Sequence, residues 1–186
     1  ADDALATAAA RFGPEFEQVR ILSPDKDLGQ CIRGRSVVQV LRKDKAEVDE
    51  AAFRARRGIA PASMPDLLAL VGDDADGYPG LPGFGEKSAA AVLAAFGRIE
   101  DVPADPARWP KVRGAEKLAA TLAARRDEAL LYKRLATLIA DVPLAESASE
   151  TQWSGVPRAR FLDWCDRLGV TELRTRPRRF LERSPS

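Results

Sequence analysis

A glycine- and proline-rich loop between two helix-like segments is the feature that most limits how this chain can fold. The segments 65–71 and 86–96 are apolar or alanine-rich in patterns typical of helices. The loop between them, 72–83, holds glycines and prolines that interrupt regular structure, and it begins with acidic residues. We therefore predict two helices joined by this loop, with the loop close to the positive end of the second helix.

The rest of the chain predicts an α/β fold that is mostly helical. Apolar runs at 19–23 and 36–41 are typical of short strands, whereas almost every segment after Pro61 has a helical pattern. Residues 48–57 are predicted to form a helix, and 114–140 one long helix or a broken pair. The predicted architecture is a partial parallel sheet followed by a helical region.

Composition excludes several kinds of chemistry. None of the 186 residues is histidine, so the chain offers no Ser-His-Asp triad, no Cys-His pair and no His-ligated zinc. The net charge of +1 gives no overall surplus for binding a polyanion, so contacts with nucleic acid would depend on local patches and backbone amides. Cys31 and Cys165 form no CxxC motif and no apolar run is long enough to span a membrane, so we expect a cytoplasmic protein.

Three pairs of aspartates have spacings that could converge on metal ions. The pairs are Asp2 with Asp3, Asp25 with Asp27, and Asp73 with Asp76. The first pair is adjacent in a helical segment, and the second lies two residues apart after a predicted strand, where an extended backbone points both side chains to one side. The third pair is three residues apart, a spacing that shares a face in helical backbone. Without histidine, carboxylates acting through Mg2+ or Mn2+ are the expected catalytic groups.

Two alternatives compete with a metal site. A single pair of aspartates is more often a solvated turn or a helix cap, although the position of Asp25 and Asp27 after a strand favours a ligand role. A calcium loop of the EF-hand type does not fit. Aligning Gly77 with the sixth loop position places Gly72 at the first and Gly83 at the twelfth, where acidic ligands belong.

The loop and the start of the following helix predict a DNA-binding element. Gly83 and Gly85 allow backbone angles and close approaches that other residues do not. Amides at the start of the helix could bind an anion, and Lys87 could add a direct phosphate contact. This pattern is typical of a helix-hairpin-helix, which grips a DNA backbone without reading bases. A purely structural turn between two helices is the alternative.

Four segments, in order along the chain, resemble the bacterial 5'-3' exonuclease and flap endonuclease family, which includes the N-terminal nuclease domain of DNA polymerase I and stand-alone relatives. They are "ADDALA", "ILSPDKDLGQCI", "PDLLALVGDDADGYPGLPGFGEKSAAAVL" and "LYKRLATLIADVPL", and they extend from Ala1 to about Leu144. The resemblance implies a nuclease that hydrolyses DNA at a 5' flap, a nick or a junction of single strand and duplex, in replication or repair. We expect a monomer and no membrane partner.

The resemblance also implies roles for particular residues. The acids that match the family motifs would hold two Mg2+ or Mn2+ ions for catalysis, and they are Asp2, Asp3, Asp25, Asp27, Asp73 and Asp76. The loop is similar to a helix-three-turn-helix that binds DNA, often with K+ at its carbonyls, and the matching residues are Gly80, Gly83, Gly85, Lys87 and Ser88.

The match departs from the family pattern in two places. Gly77 follows Asp76 where many members have asparagine, and the glutamate of the first acidic motif would precede Ala1, together with earlier strands and an arch. We therefore expect an N-terminally truncated segment that binds DNA weakly and cuts it poorly or not at all. Its expected parts are the end of the nuclease core, 1–60, a DNA-binding region with the last metal ligands, 61–145, and a C-terminal helix with a basic tail, 146–186.

Beyond Leu144 the resemblance weakens. Trp153, Phe161 and Trp164 are predicted to be core aromatics on one helix face rather than base-stacking groups. The arginines between 174 and 183 could follow a phosphate backbone or form a solvated tail. The main alternative function is a non-catalytic helix-hairpin-helix DNA-binding module with structural acids, and another is an interaction domain that binds no nucleic acid.

Overall fold

The structure, a computed structural model, describes residues 1–41, 43 and 46–181. The chain divides into two units, Ala1–Leu144 and Ala145–Ser186. The further division of the first unit near residue 60 stays a prediction. No helix in the described ranges combines the length and the apolarity that crossing a lipid bilayer requires.

A short sheet and one helix form the N-terminal part of the first unit. These elements are helix α1, Asp2–Phe12, and strands β1, Val19–Ile21, β2, Val37–Leu41, and β3, Ala46–Val48. Strands β1 and β2 are parallel, with Val19 opposite Val37, and β3 pairs with β2 in the antiparallel direction. The predicted partial parallel sheet is present, and β3 is a further strand that the sequence pattern does not predict.

Helices make up most of the rest of the first unit. They are α2, Glu50–Arg57, α3, Met64–Val71, α4, Glu86–Phe96, α5, Ala115–Ala124, and α6, Arg126–Ala136. Arg125 separates α5 from α6, so the region predicted as one long helix or a broken pair is a broken pair, and it ends at Ala136, four residues before the predicted end. The predicted fold class, α/β and mostly helical, is confirmed.

Local sequence signals explain where α2 begins and ends. Asp49 caps its first turn, because the carboxylate accepts a hydrogen bond from the amide of Ala52 at 2.8 Å. Gly58 ends the helix in a left-handed conformation, with φ of 72°, which glycine adopts without strain. The sequence pattern predicts that the helix begins at Val48, but it begins at Glu50, because Val48 belongs to β3.

Helix α3 is the most buried element of the first unit. It packs against α4 and α6, and the side chains of Leu67 and Leu70 are almost wholly inaccessible. A polar contact crosses the same interface, because the buried Asp66 carboxylate accepts hydrogen bonds from Lys133 Nζ at 2.8 Å and from the amide of Ile99 at 2.9 Å. A buried carboxylate without partners would strongly destabilise the fold, so these contacts fix how α3 and α6 face each other.

The loop after α3 is closed by the close approach of two glycine backbones. Gly72 has φ of 92° and Gly80 has φ of 69°, a region that residues with a side chain rarely adopt. A Cβ atom on Gly80 would lie 2.4 Å from the amide nitrogen of Gly72. Between these glycines, Asp73 and Tyr78 form an antiparallel bridge, in which the Asp73 amide donates to the Tyr78 carbonyl at 2.8 Å. This part of the predicted loop is therefore a closed turn.

The second unit contains a short pair of strands and one helix. Strands β4, Val156–Pro157, and β5, Phe180–Leu181, are parallel, and helix α7 covers Arg158–Leu168. The rings of Phe161 and Trp164 stack with centroids 6.0 Å apart, and the Phe161 ring lies 6.1 Å from that of Phe180. Residues 182–186, which include Arg183 of the predicted basic tail, lie outside the described residues.

The prediction that Trp153 and Trp164 are core residues is wrong. Trp153 is 65% exposed and Trp164 is 41% exposed. The predicted helix begins at Val156, but Val156 pairs with β5, so the helix begins two residues later and Trp153 is not on its face. Among the described residues, the Phe161 ring has aromatic rings on two sides, those of Trp164 and Phe180.

We expect the Gly80→Ala substitution to lower the free energy of unfolding by about 2 kcal/mol or more. The added methyl group would meet the backbone of Val71 and Gly72, and alanine is strained at positive φ. Gly77→Ala is the matched control, because Gly77 has a positive φ but nothing lies within 4 Å of its Cβ position. Urea unfolding should show the larger loss for Gly80→Ala, and equal losses would contradict the close backbone contact.

Candidate functional site

Three carboxylates from two separate parts of the chain form a cluster. Asp27, Asp73 and Asp76 each place a carboxylate oxygen within 4.8 Å of the others. Asp27 begins a short 3-10 turn that follows β1, and the other two lie in the closed turn after α3. Carboxylate oxygens grouped in this way are a donor set suited to a hard divalent cation.

The turn between Gly72 and Gly80 holds two of these carboxylates in place. The Asp73 carbonyl accepts hydrogen bonds from the amides of Gly77 and Tyr78, and the Asp73 side chain accepts one from the amide of Ala75 at 3.1 Å. Asp73 is buried by this arrangement, whereas Asp76 is exposed. A tight turn thus brings together two residues that are three apart, as a helix would.

Lys26 places a positive charge against the acid cluster. Its Nζ lies 2.7 Å from Asp73 Oδ2, and the hydrogen bond to Asp73 raises the pKa of Lys26. One ammonium group cannot balance three carboxylates, so the cluster has more negative than positive groups.

Asp27 shows most clearly that the positive charge of Lys26 does not balance the cluster. Its pKa is raised to about 7, chiefly because burial removes water from the carboxylate, and then because Asp25, Asp76 and Asp73 are negatively charged neighbours. Within the described residues, the buried Asp27 Oδ1 also has no hydrogen-bond partner. A divalent cation relieves both conditions, so the residues present fit a metal site.

The other predicted acids line an open cleft beside the cluster. The cleft has a volume of about 510 Å³, and its acidic residues are Asp2, Asp3, Asp25, Asp27 and Asp76. Asp2 and Asp3 lie in the first turn of α1, and the Asp3 carboxylate accepts a hydrogen bond from the amide of Ile139 at 2.8 Å. The structure brings five of the six predicted acids to this cleft, and Asp73 adjoins it through Asp27 and Asp76. Their role as metal ligands stays a prediction.

The predicted geometry of the second aspartate pair is wrong. The sequence predicts an extended backbone there, but Asp27 begins a 3-10 turn. The Asp25 carboxylate accepts a hydrogen bond from the amide of Asp27 at 3.1 Å, a side-chain contact typical of turns. Asp25 is therefore exposed in the cleft and lies outside the three-carboxylate cluster.

The predicted DNA-binding residues lie in the loop and in the first turn of α4. Gly80 and Gly83 both have positive φ, and Lys87 is exposed. The Ser88 hydroxyl accepts a hydrogen bond from the Gly85 amide at 3.0 Å and donates one to the Gly85 carbonyl at 2.9 Å, so it caps the helix. Gly85 has φ of −120°, which any residue adopts, so the expectation of an unusual backbone angle at Gly85 is wrong.

Sequence reasoning does not identify two residues at the cluster. Lys26 lies between Asp25 and Asp27 in the sequence, and this alternation of charge could have indicated a lysine at the acid cluster. Tyr78 packs its ring on Tyr132 at 5.8 Å, and within the described chain its buried hydroxyl has no hydrogen-bond partner. Burial, together with the nearby acids, raises the pKa of Tyr78. No local pattern in the sequence marks this tyrosine.

Comparison with known proteins identifies relatives of the chain. Residues 59–159 match a family model described as 5'-3' exonuclease, C-terminal SAM fold. The DNA polymerase I of Bacillus caldotenax is 35% identical over 172 residues, which cover 91% of this chain and 19% of that protein. The 5'-3' exonuclease of Streptomyces coelicolor is 39% identical over 159 residues, which cover 80% of this chain and 50% of that protein. The chain therefore spans half or less of the length of these relatives.

Solved structures share the fold. The bacteriophage T5 5'-exonuclease with bound zinc ions matches with a TM-score of 0.63 at 22% identity, over 74% of this chain and 49% of that one. A bacteriophage T5 flap endonuclease in a complex with DNA and metal ions matches with a TM-score of 0.62 at 20% identity, with the same coverage of both chains. At these identities the likeness shows a common fold.

In the metal-free protein, we expect the free energy of unfolding to fall as the pH rises from about 4 to about 7 and to change little above that. The pKa of Asp27 is about 7 in the folded protein, against an ordinary value of 3.8, so the folded state binds this proton more tightly than the unfolded state. The resulting stabilisation is fully present below the ordinary pKa, decreases as the pH rises above it, and is lost once the folded carboxyl has ionised. Thermal unfolding as a function of pH measures the effect.

Asp27→Asn should remove this pH dependence. Near pH 8 it should also raise stability by about 1 kcal/mol, which corresponds to about 2–4 °C in Tm for a chain of this size. Asp101→Asn is the control, since Asp101 is exposed and lies outside the cluster. The same pH dependence of stability in both variants would show that Asp27 is not the group responsible for it.

Proposed function

The chain belongs to the 5'-3' exonuclease family, and on that basis we propose that it forms part of a structure-dependent nuclease that hydrolyses DNA phosphodiesters. The observation that carries the proposal is the cluster of Asp27, Asp73 and Asp76, with carboxylate oxygens within 4.8 Å of one another. The chain spans only part of its relatives, so the activity is proposed for the whole protein to which these residues belong.

The proposed cofactors are two Mg2+ or Mn2+ ions. Asp27, Asp73 and Asp76 would hold them most directly, and the further acids of the cleft would act directly or through water. Those further acids are Asp2, Asp3 and Asp25. When bound, the ions supply positive charge that activates the attacking water and stabilises the transition state of an in-line displacement at phosphorus. The family match and the relatives with bound metal ions support this part of the proposal.

In this proposal, Lys26 and Asp27 prepare the site for a cation. The ammonium of Lys26, 2.7 Å from Asp73 Oδ2, holds that carboxylate in place before a cation binds. Asp27, whose pKa is about 7, carries a proton part of the time at neutral pH and must release it to become a ligand. The site would therefore bind metal more tightly as the pH rises towards about 7, and its affinity would change little above that pH.

The proposed DNA contact lies in the glycine loop and the first turn of α4. The amides at a helix N-terminus and the positive end of its dipole favour a backbone phosphate, and Lys87 adds a positive charge in that turn. Gly83 and Gly85 are exposed and leave the backbone accessible, whereas Gly80 is buried against the backbone of Gly72 and shapes the loop. A K+ ion at the loop carbonyls belongs to the same proposal. The Ser88 hydroxyl caps the helix, so its part is to hold the loop in shape.

The proposed substrate is a 5' flap, a nick or a junction of single strand and duplex, in replication or repair. We propose that the protein acts as a monomer in the cytoplasm. The two cysteines agree with a reducing compartment, because Cys31 and Cys165 are buried and unpaired.

Asp73→Asn should lower the affinity for Mn2+ at least about tenfold, which corresponds to about 1.4 kcal/mol. The substitution removes a buried negative charge from the proposed ligand set. Isothermal titration calorimetry with Mn2+ measures the change. Asp74→Asn is the matched control, because Asp74 is the next residue, is exposed and lies outside the cluster.

The activity of the whole protein is tested on labelled DNA with a 5' flap in the presence of Mg2+. Metal-dependent cutting that Asp73→Asn abolishes and Asp74→Asn retains would support the nuclease proposal. Equal Mn2+ affinity in both variants, with DNA binding intact, would instead favour the non-catalytic DNA-binding module.

Lys87→Ala should weaken DNA binding about three- to tenfold and reduce the dependence of log Kd on log salt concentration by about 1. The substitution removes one proposed phosphate contact. Fluorescence anisotropy with labelled duplex in EDTA measures both quantities without cutting. Arg33→Ala removes an exposed cation from a different part of the first unit and should leave both unchanged. Unchanged binding by Lys87→Ala would remove the loop from the DNA interface.

A further inference from the structure

A second pocket, next to the acid cluster, is not explained by the proposed metal site. It has a volume of about 240 Å³ and lies between Pro24 and Lys26, the segment of β2 and β3, and helix α2. Its lining contains four cationic side chains from three separate parts of the chain, and they are Lys26, Lys43, Arg56 and Arg57. No acidic residue is among the described residues that line it.

The charges of this basic pocket, defined by those four residues, favour an anion. Lys26 and Arg57 also pair with acids outside the lining, so the positive charge of the pocket rests mainly on Lys43 and Arg56. Converging charges of one sign at a concave surface raise the local concentration of the opposite ion. Arginine also presents a planar fork of donors that matches the oxygens of a phosphate group. Arg56 and Lys43 are exposed, so they can be reached from solvent.

The walls of the pocket favour an anion that carries an organic group. Leu41, Val48 and Phe53 contribute apolar surface to the lining, and Val48 and Phe53 are otherwise buried. A small inorganic ion would leave this apolar surface unused, whereas a sugar or base attached to a phosphate could contact it. The combination is that of a nucleotide unit.

The position of the pocket connects it to both parts of the proposed nuclease site. Lys26, which lines the pocket, also contacts Asp73 of the acid cluster at 2.7 Å. Arg57, which lines the pocket, also contacts Glu86 in the first turn of α4 at 2.5 Å. A strand that extends from the acids towards α4 would therefore pass the mouth of the pocket.

We propose that the basic pocket binds a phosphate-bearing nucleotide unit of the DNA strand that lies between the acid cluster and helix α4. This inference rests on the proposed nuclease function and adds a third DNA contact to it. The pocket holds the strand by its phosphate at the cationic side chains and by its sugar or base at the apolar walls.

The test compares two arginines of the same helix. Arg56→Ala removes a pocket cation, whereas Arg54→Ala makes the same change in charge two residues away, at a side chain that pairs with Glu50 and does not line the pocket. Affinity for labelled duplex with a 5' single-stranded arm is measured by anisotropy over a range of salt, with Ca2+ in place of Mg2+. We expect Arg56→Ala to weaken binding about three- to tenfold and to lower the salt slope by about 1, with no change for Arg54→Ala.

Competition distinguishes the sources of the phosphate. Displacement of the DNA by a deoxynucleoside monophosphate from the original chain, but not from Arg56→Ala, would support the proposal and assign the pocket to a strand end. No displacement, together with the Arg56→Ala effect, would support it and assign the pocket to an internal nucleotide.

Equal affinity and salt slope for Arg56→Ala and Arg54→Ala would overturn this inference. The nuclease proposal would survive that result if Mn2+ binding and cutting still depended on Asp73. A chain that binds no DNA under any of these conditions would overturn the proposed pocket, while the nuclease proposal, made for the whole protein, would still be decided by the dependence of Mn2+ binding on Asp73.

Discussion

The close approach of the Gly72 and Gly80 backbones is the constraint on which the acid cluster depends. It closes the turn directly after α3, so the Asp73 amide bonds to the Tyr78 carbonyl and the carboxylates of Asp73 and Asp76 face the same place. Helix α3 is in turn fixed by its buried contacts with α4 and α6. The carboxylates are therefore held by the core of the first unit, and ligand groups need such support to keep their geometry.

Repulsion among the carboxylates of this cluster lowers the stability of the fold. Asp27 is half-buried among carboxylates, one of its oxygens has no partner among the described residues, and its pKa is raised to about 7. Lys26 offsets part of the repulsion through Asp73, and the stacking of Tyr78 on Tyr132 adds packing next to the turn. A cluster of carboxylates whose mutual repulsion lowers stability is typical of a functional site, because selection for stability alone would remove it.

Local patterns predicted much of the fold and the acids, but not their environment. The strands at 19–23 and 36–41, helix α4 and the six aspartates could be found because each depends on composition or spacing within a few residues. The contact of Lys26 with Asp73 and the antiparallel strand β3 could not, because both depend on residues brought together by the fold. The prediction for Trp153 was wrong for a related reason. Val156 pairs with β5, which is distant in sequence, so α7 begins only at Arg158.

The acid cluster and the basic pocket lie next to each other on the first unit. Lys26 is the shared residue, in contact with the acids through Asp73 and part of the lining of the basic pocket, and Arg57 connects that pocket to α4 through Glu86. Without a bound cation, the acids repel a phosphate that the pocket is proposed to bind, so in this proposal a strand lies beside the cleft and not across it. Neutralising the acids removes that repulsion. Cation binding and strand binding would then favour each other through charge alone, with no change of conformation, and by linkage each would strengthen the other to the same extent.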